Sequence, residues 1–148
     1  MSIHALNNDG FLPHGIWDCT LAELREHFGT FSGSDHRSRL FARLEDLFQN
    51  MKRSGLFEML LVDGSFVTAK SAPNDVDLVA MLRPGHNFER DLPMSEYAFV
   101  SRAMLRRRYG FDVVIAEKDS QLCKTYIEFF SRVRDNPGVS KGMLRLSL

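Results

Sequence analysis

Residues 63–77 read DGSFVTAKSAPNDVD. Two apolar runs bracket this stretch, LFEMLLV at 56–62 and DVDLVAML at 75–82. The first lies between Gly55 and Gly64, is too short for a helix, and reads as a buried strand; the second reads as another. Side chains two apart in a strand share a face, about 7 Å apart along the backbone. Asp75 and Asp77 therefore aim together, while Val76 and Leu78 aim to the opposite side. Two like charges on one face repel, and strands disfavour Asp. A hard divalent cation such as Mg²⁺ or Mn²⁺ would offset that cost, since both take carboxylate oxygen ligands.

A third acid, Asp112, opens the apolar run FDVVIA at 111–116, just behind Gly110. If that strand neighbours 75–82, Asp112 joins Asp75 and Asp77 in a three-carboxylate site for one or two metal ions. Two such ions about 3.5–4 Å apart stabilise both the attacking and the leaving oxygen of a phosphoryl transfer. Gly64-Ser65 adds a phosphate-binding element. Glycine lets the backbone approach a phosphate closely, serine offers a hydroxyl, and the turn can aim amides at the same oxygens. Lys70, in the connecting loop, is a candidate for neutralising further phosphate charge. There is no GxxxxGK[ST] in the chain.

Working outward, Thr20-Leu-Ala-Glu23 is a capping box that starts a short helix to Phe28, stopped by Gly29. Ser32-Gly-Ser-Asp35 opens a longer helix to about Ser54. Its apolar residues Leu40, Phe41, Leu44, Leu47, Phe48 and Met51 form one stripe at helical period. The spacing predicts a loop over 83–93, and a helix over 94–108 with Tyr97, Val100 and Met104 on one face. It predicts a helix over 120–133 with Leu122, Tyr126, Phe129 and Phe130 inward, a turn at Asp135–Gly138, and a last strand over 143–148. Residues 1–19 read as extended or irregular, with Phe11, Leu12, Ile16 and Trp17 lying on the core. The expected fold class is α/β (α+β), a small mixed sheet flanked by helices. The chain reads as one domain over 1–148, with an N-terminal extension 1–19 and a C-terminal strand within 142–148.

Composition narrows the partners. The 148 residues carry 19 Lys and Arg against 19 Asp and Glu, so net charge gives no bulk attraction to nucleic acid or membrane. The N-terminus has no basic start followed by an apolar stretch, and no apolar run approaches the ~20 residues of a bilayer span. Cys19 and Cys123 match no zinc spacing and read as buried free thiols in a cytoplasmic protein.

Taken together, an apolar strand, Gly64-Ser65, a nine-residue spacer and Asp75-Val-Asp77 on a second apolar strand resemble the signature of the nucleotidyltransferase superfamily related to DNA polymerase beta. In size the chain is similar to the minimal prokaryotic nucleotidyltransferases, and the resemblance covers about 34–117. It implies a nucleotidyltransferase-like fold and a two-metal transfer of a nucleoside monophosphate from an NTP, ATP favoured, to a hydroxyl of a protein or RNA acceptor. In that resemblance Gly64 and Ser65 hold the triphosphate, and Asp75 and Asp77 bind both metals. Asp112 binds the catalytic one and helps activate the acceptor. It also implies a possible antitoxin role beside a small helical ribonuclease toxin; the alternative is a catalytically inactive member that binds a protein partner. The chain departs from the minimal members in carrying Val67-Thr68-Ala69-Lys70 where they often have a small residue and Arg-Gly.

Simpler readings stand beside these. Asp75 and Asp77 can serve as a turn cap and a solvated edge residue, Asp112 as a strand-start cap, Ser65 as a turn residue, and Lys70 as a solvated charge. Asp63 and Glu117 are alternative acids that rank below Asp112, because neither matches the pattern. Arg102, Arg106, Arg107 and Arg108 suit a helix C-terminus, with RNA phosphate or an acidic partner as the rival use.

Overall fold

A computed structural model describes residues 3–29, 35–71, 73–74, 76–85, 93–133 and 136–148. The chain begins with a short edge strand β1 (Ile16–Asp18), followed by α1 (Leu21–Leu24), which runs on as a π-helical turn, Arg25–Gly29. The Thr20–Glu23 capping box forms as expected. Helix α2 (His36–Ser54) ends on Gly55, which adopts the left-handed conformation at φ 70° that terminates helices at low cost. Strand β2 (Phe57–Asp63) leads through a single 3-10 turn, Ser65–Val67, and an irregular loop to β3 (Asp77–Leu82). Then come α3 (Met94–Val100), α4 (Arg102–Tyr109), β4 (Asp112–Glu117), α5 (Gln121–Phe130), β5 (Arg132–Val133), β6 (Asn136–Ser140) and β7 (Met143–Ser147).

Among the described residues the main sheet runs β1-β7-β2-β3-β4, and β5 and β6 form a separate two-stranded ribbon. The wide loop after β2 closes an antiparallel pair with β3, while β4 lies parallel to β3 after the α3–α4 crossover. Strand β7 inserts between β1 and β2, parallel to the first and antiparallel to the second. This is the expected mixed sheet flanked by helices.

Alternation along the strands divides the core in two. Leu60, Val62, Leu78, Ala80 and Val113 face the apolar stripe of α2, all six of whose stripe residues are buried. Leu61, Val79, Met81, Val114 and Ala116 face α5. The α5 stripe is not the expected one: Leu122 and Phe129 are 50% and 68% exposed. Cys123, Tyr126, Ile127 and Phe130 pack inward instead. That set also has helical spacing, and the helix begins at Gln121 with Ser120 as its cap, so the phase is rotated by about one residue. The expected continuous helix over 94–108 is broken at Ser101, which leaves helical geometry and caps α4 by accepting the Met104 amide. Tyr97 is thereby left exposed rather than on a buried face. Where a turn was expected at 135–138, Asn136–Ser140 is strand β6, paired with β5. Asp135 lies outside the described residues, as do parts of the expected 83–93 loop. No helix among the described residues is long and apolar enough to cross a membrane.

The loop after β2 is held by a buried arginine. Arg37, in the first turn of α2, is fully buried and donates to the carbonyls of Phe28, Phe66, Thr68 and Lys70. Its guanidinium lies 5.9 Å and 5.5 Å from the ring centroids of Phe28 and Phe66. Replacing Arg37 with Met keeps the volume but strips the partners from these carbonyls, each unsatisfied group costing roughly 1–3 kcal/mol. Arg37→Met is expected to lower stability by about 3 kcal/mol or more, read as a fall in the urea midpoint at unchanged slope.

Candidate functional site

The chemistry-bearing residues gather at one end of the sheet, where β2 finishes and β3 and β4 begin. Asp77 is the register partner of Asp112 on β4, and also of Asp63 on β2. Register partners project to the same face, with neighbouring strands about 4.8 Å apart. Asp63, Asp77 and Asp112 therefore form a row of carboxylates across three adjacent strands, continuing the face that packs on α5. The expected adjacency of the 75–82 and 111–116 segments is present, and it brings Asp77 and Asp112 together. The strand expected from 75 begins only at Asp77, and Asp75 lies outside the described residues.

Gly64-Ser65 follows directly from this row. Gly64 sits at φ 89°, ψ −177°, a backbone region open essentially to glycine alone. Its carbonyl accepts from Val67 N, and the Ser65 carbonyl accepts from both the amide and the hydroxyl of Thr68. The result is a tight turn immediately beyond Asp63. Lys70 is exposed, and its contribution to the loop's packing is its carbonyl, bound by Arg37.

The charges along the row are unequal. Asp112 is a third exposed and accepts a hydrogen bond from Arg102 at 2.8 Å. That bond holds the Arg102 guanidinium above its ordinary pKa. Asp63 is only 2% exposed, and neither of its oxygens has a well-formed hydrogen bond among the described residues. Lys141 Nζ stands 3.4 Å from its Oδ1. Burial pushes the Asp63 carboxyl up to about 6; the Lys141 ammonium and the Gly64 amide pull it down, and neighbouring Asp77 adds to the rise.

These carboxylates offer the hard oxygen donors that Mg²⁺ or Mn²⁺ prefers. Asp77 and Asp112 stand in register, with the poorly satisfied oxygens of Asp63 beside them. Among the described residues, no three His, Cys, Asp or Glu side chains are gathered closely enough to hold one. Asp112 is engaged by Arg102.

Comparison with known proteins places the whole chain in one group. The chain belongs to DUF6932, a family of unknown function. The family model matches residues 4–147, taking in the N-terminal segment and β7 as well as the helices and strands around the acid row. No curated relative and no solved structure matches the chain.

Three residues of this candidate site are not singled out as ligands by sequence. Asp63 was ranked below Asp112 because it falls outside the spacing pattern, yet the hairpin register makes it the direct partner of Asp77. Lys141 comes from the segment before β7, and no local signal tied it to Asp63. Arg102 was read as part of a helix-end cluster, but it is the first residue of α4, not the last.

Because the folded-state pKa of Asp63 lies above its unfolded value, folding favours the protonated form. Its contribution to stability is complete below about pH 4 and is lost as pH rises through about 6, a swing of about 2–3 kcal/mol. Asp63→Asn is expected to flatten that part of the stability–pH curve, measured by urea unfolding at a series of pH values. An unchanged slope would place the titrating group elsewhere.

Proposed function

We propose that this protein is a metal-dependent nucleotidyltransferase of the cytosol, moving a nucleoside monophosphate from an NTP, ATP favoured, to a hydroxyl of a protein or RNA acceptor. One observation carries the reading: Asp77 and Asp112 are register partners at the sheet end from which the Gly64-Ser65 turn departs. Sheet geometry thus supports the neighbourhood of acids and glycine turn that the sequence resemblance implies.

In this reading Asp75, Asp77 and Asp112 hold the Mg²⁺ or Mn²⁺. A bound ion of this kind neutralises phosphate charge and lowers the pKa of an attacking oxygen. The Gly64 turn brings backbone close to the triphosphate, and the Ser65 hydroxyl and neighbouring amides bind its oxygens. Lys70, exposed in the loop, adds a positive charge. Asp112 receives the proton of the acceptor hydroxyl as that oxygen bonds to the α-phosphorus. The bond from the α-phosphorus to the bridging oxygen breaks, and pyrophosphate leaves with the electron pair.

A second reading has its own support. The Arg102–Asp112 ion pair is also what a catalytically silent member would retain, with the chain serving as a protein-binding module. A small helical ribonuclease toxin is the partner this reading and the antitoxin role share.

Labelled NTPs with Mg²⁺, offered with RNA and protein acceptors, test the first reading. The wild-type chain is expected to label an acceptor. Asp77→Asn and Asp112→Asn are each expected to lower the rate by about a hundredfold or more. If the wild type labels nothing, while a variant carrying both substitutions still neutralises a toxin partner, the binding-module reading replaces the enzymatic one.

A further inference from the structure

Exposed arginines elsewhere find an acid one helical turn away. Arg39 meets Asp35 at the start of α2, and Arg132 meets Glu128 at the end of α5. The α3–α4 segment differs. From Met94 to Tyr109 it carries four arginines and one acid, Glu96, although the whole chain is balanced at 19 against 19. Arg102 reaches Asp112, but Arg106, Arg107 and Arg108 are exposed and have no carboxylate partner among the described residues. The negative end of the α4 dipole accounts for cations there. It does not account for the apolar cleft beside them.

That cleft lies between α3 and α4 and has a volume of about 310 Å³. Ala98 and Phe99 of α3, with Met104, Leu105 and Tyr109 of α4, form its apolar part. Arg107 and Arg108 complete the lining, and no acid takes part. Helix α3 has no buried residue. Its Met94 and Tyr97 are 75% and 50% exposed, and their spacing of three and four puts them on one face with Ala98. An apolar strip thus runs along α3 into a cleft that carries unpaired positive charge. Single exposed apolar side chains are ordinary; a contiguous set with a charged rim marks a docking surface.

Charge and shape together select the occupant. Arg107 and Arg108 suit carboxylates held as planar partners, and the cleft suits one large apolar side chain. RNA phosphate would also satisfy the arginines, but single strands bind by stacking on open ring faces. Tyr109 is 2% exposed, with its hydroxyl accepting from Asn50, and Phe99 packs against the core. We propose that the α3–α4 cleft docks an acidic amphipathic segment of a protein partner, with an apolar side chain in the cleft and carboxylates on Arg107 and Arg108. The surface uses no member of the acid row and rests on neither reading of that row. A transferase would hold a protein acceptor there, and a silent member its binding partner.

The test is fluorescence anisotropy of labelled probes titrated with the full chain. The probes are a synthetic peptide with Leu at helical period and Glu elsewhere, the same peptide with Ser for Leu, the same with Lys for Glu, and single-stranded RNA. Wild type is expected to bind the first peptide saturably and the other two peptides about tenfold more weakly. Arg107→Glu and Arg108→Glu are each expected to weaken binding of the first peptide about tenfold, since like charges across an interface repel. Met104→Glu, which puts a charge in the cleft, is expected to weaken it similarly. Lys124→Glu makes the same charge change at an exposed site on α5 and is expected to leave binding unchanged. Circular dichroism melts check that each variant folds. Failure of the wild type to bind the first peptide overturns the inference. So does equal binding of the Ser peptide, or an equal loss in Lys124→Glu, because either reduces the effect to bulk charge. Tighter binding of RNA, lost in the same arginine variants, overturns it in favour of a nucleic-acid surface. Each of these results leaves the acid row to its own test, which is read from acceptor labelling.

Discussion

A guanidinium buried in the first turn of α2 makes the rest of this end of the molecule possible. The chain leaving β2 must turn sharply, bury Phe66 and Val67, and then travel without regular structure. Such a segment satisfies only some of its own carbonyls, and a buried carbonyl left unpaired is costly. Arg37 supplies the missing donors to Phe66, Thr68 and Lys70, and a further one to Phe28 in the π-helical turn. Lysine could not substitute, because its three donors radiate from one atom while these carbonyls approach a planar fork. Desolvation lowers the pKa of Arg37, and hydrogen bonds together with the faces of Phe28 and Phe66 offset the burial of its charge. By fixing the loop, Arg37 also fixes the Gly64-Ser65 turn against the row of acids.

What could be read from the sequence was whatever local pattern determines. The six-residue stripe of α2 admits only one buried face, and Gly55 at its end needs only its own conformational freedom. The short apolar runs became strands within one or two residues of the expected limits, because nothing else suits runs of that length between loops. The adjacency of β3 and β4, and with it the pairing of Asp77 and Asp112, was a conditional expectation that the sheet order fulfils.

The misreadings share a cause. Helix α5 carries apolar residues on more than one side, so Leu122 and Phe129 compete with Cys123 and Ile127 for the inward face, and only the sheet beneath decides. The break at Ser101 has no glycine or proline to announce it; it arises where Ser101 caps a new helix instead of continuing the old one. Asp63 is the sharper case. Whether it faces Asp77 depends on the register of a hairpin with a long irregular loop, and a shift of one residue would send it to the opposite face. Spacing alone carries no information about that register.

The position of Lys141 ties the terminal segments to the row of acids. A side chain on Gly142 would meet the Pro13 carbonyl oxygen at 1.9 Å, so the N-terminal segment lies directly on the backbone beside Lys141. Trp17 Nε1 donates to that same carbonyl, and β1 then pairs with β7 in parallel. The ammonium that balances Asp63 is thus aimed by contacts between the two ends of the chain, both of which the family model spans. A buried carboxylate with a raised pKa opposes folding at neutral pH, and an apolar residue there would be the cheaper choice for stability alone. Keeping Asp63 beside Asp77, with a lysine brought from the far end of the sequence to meet it, is an arrangement that core packing does not require. It is the kind of local cost that accompanies a site where negative charge has to be concentrated.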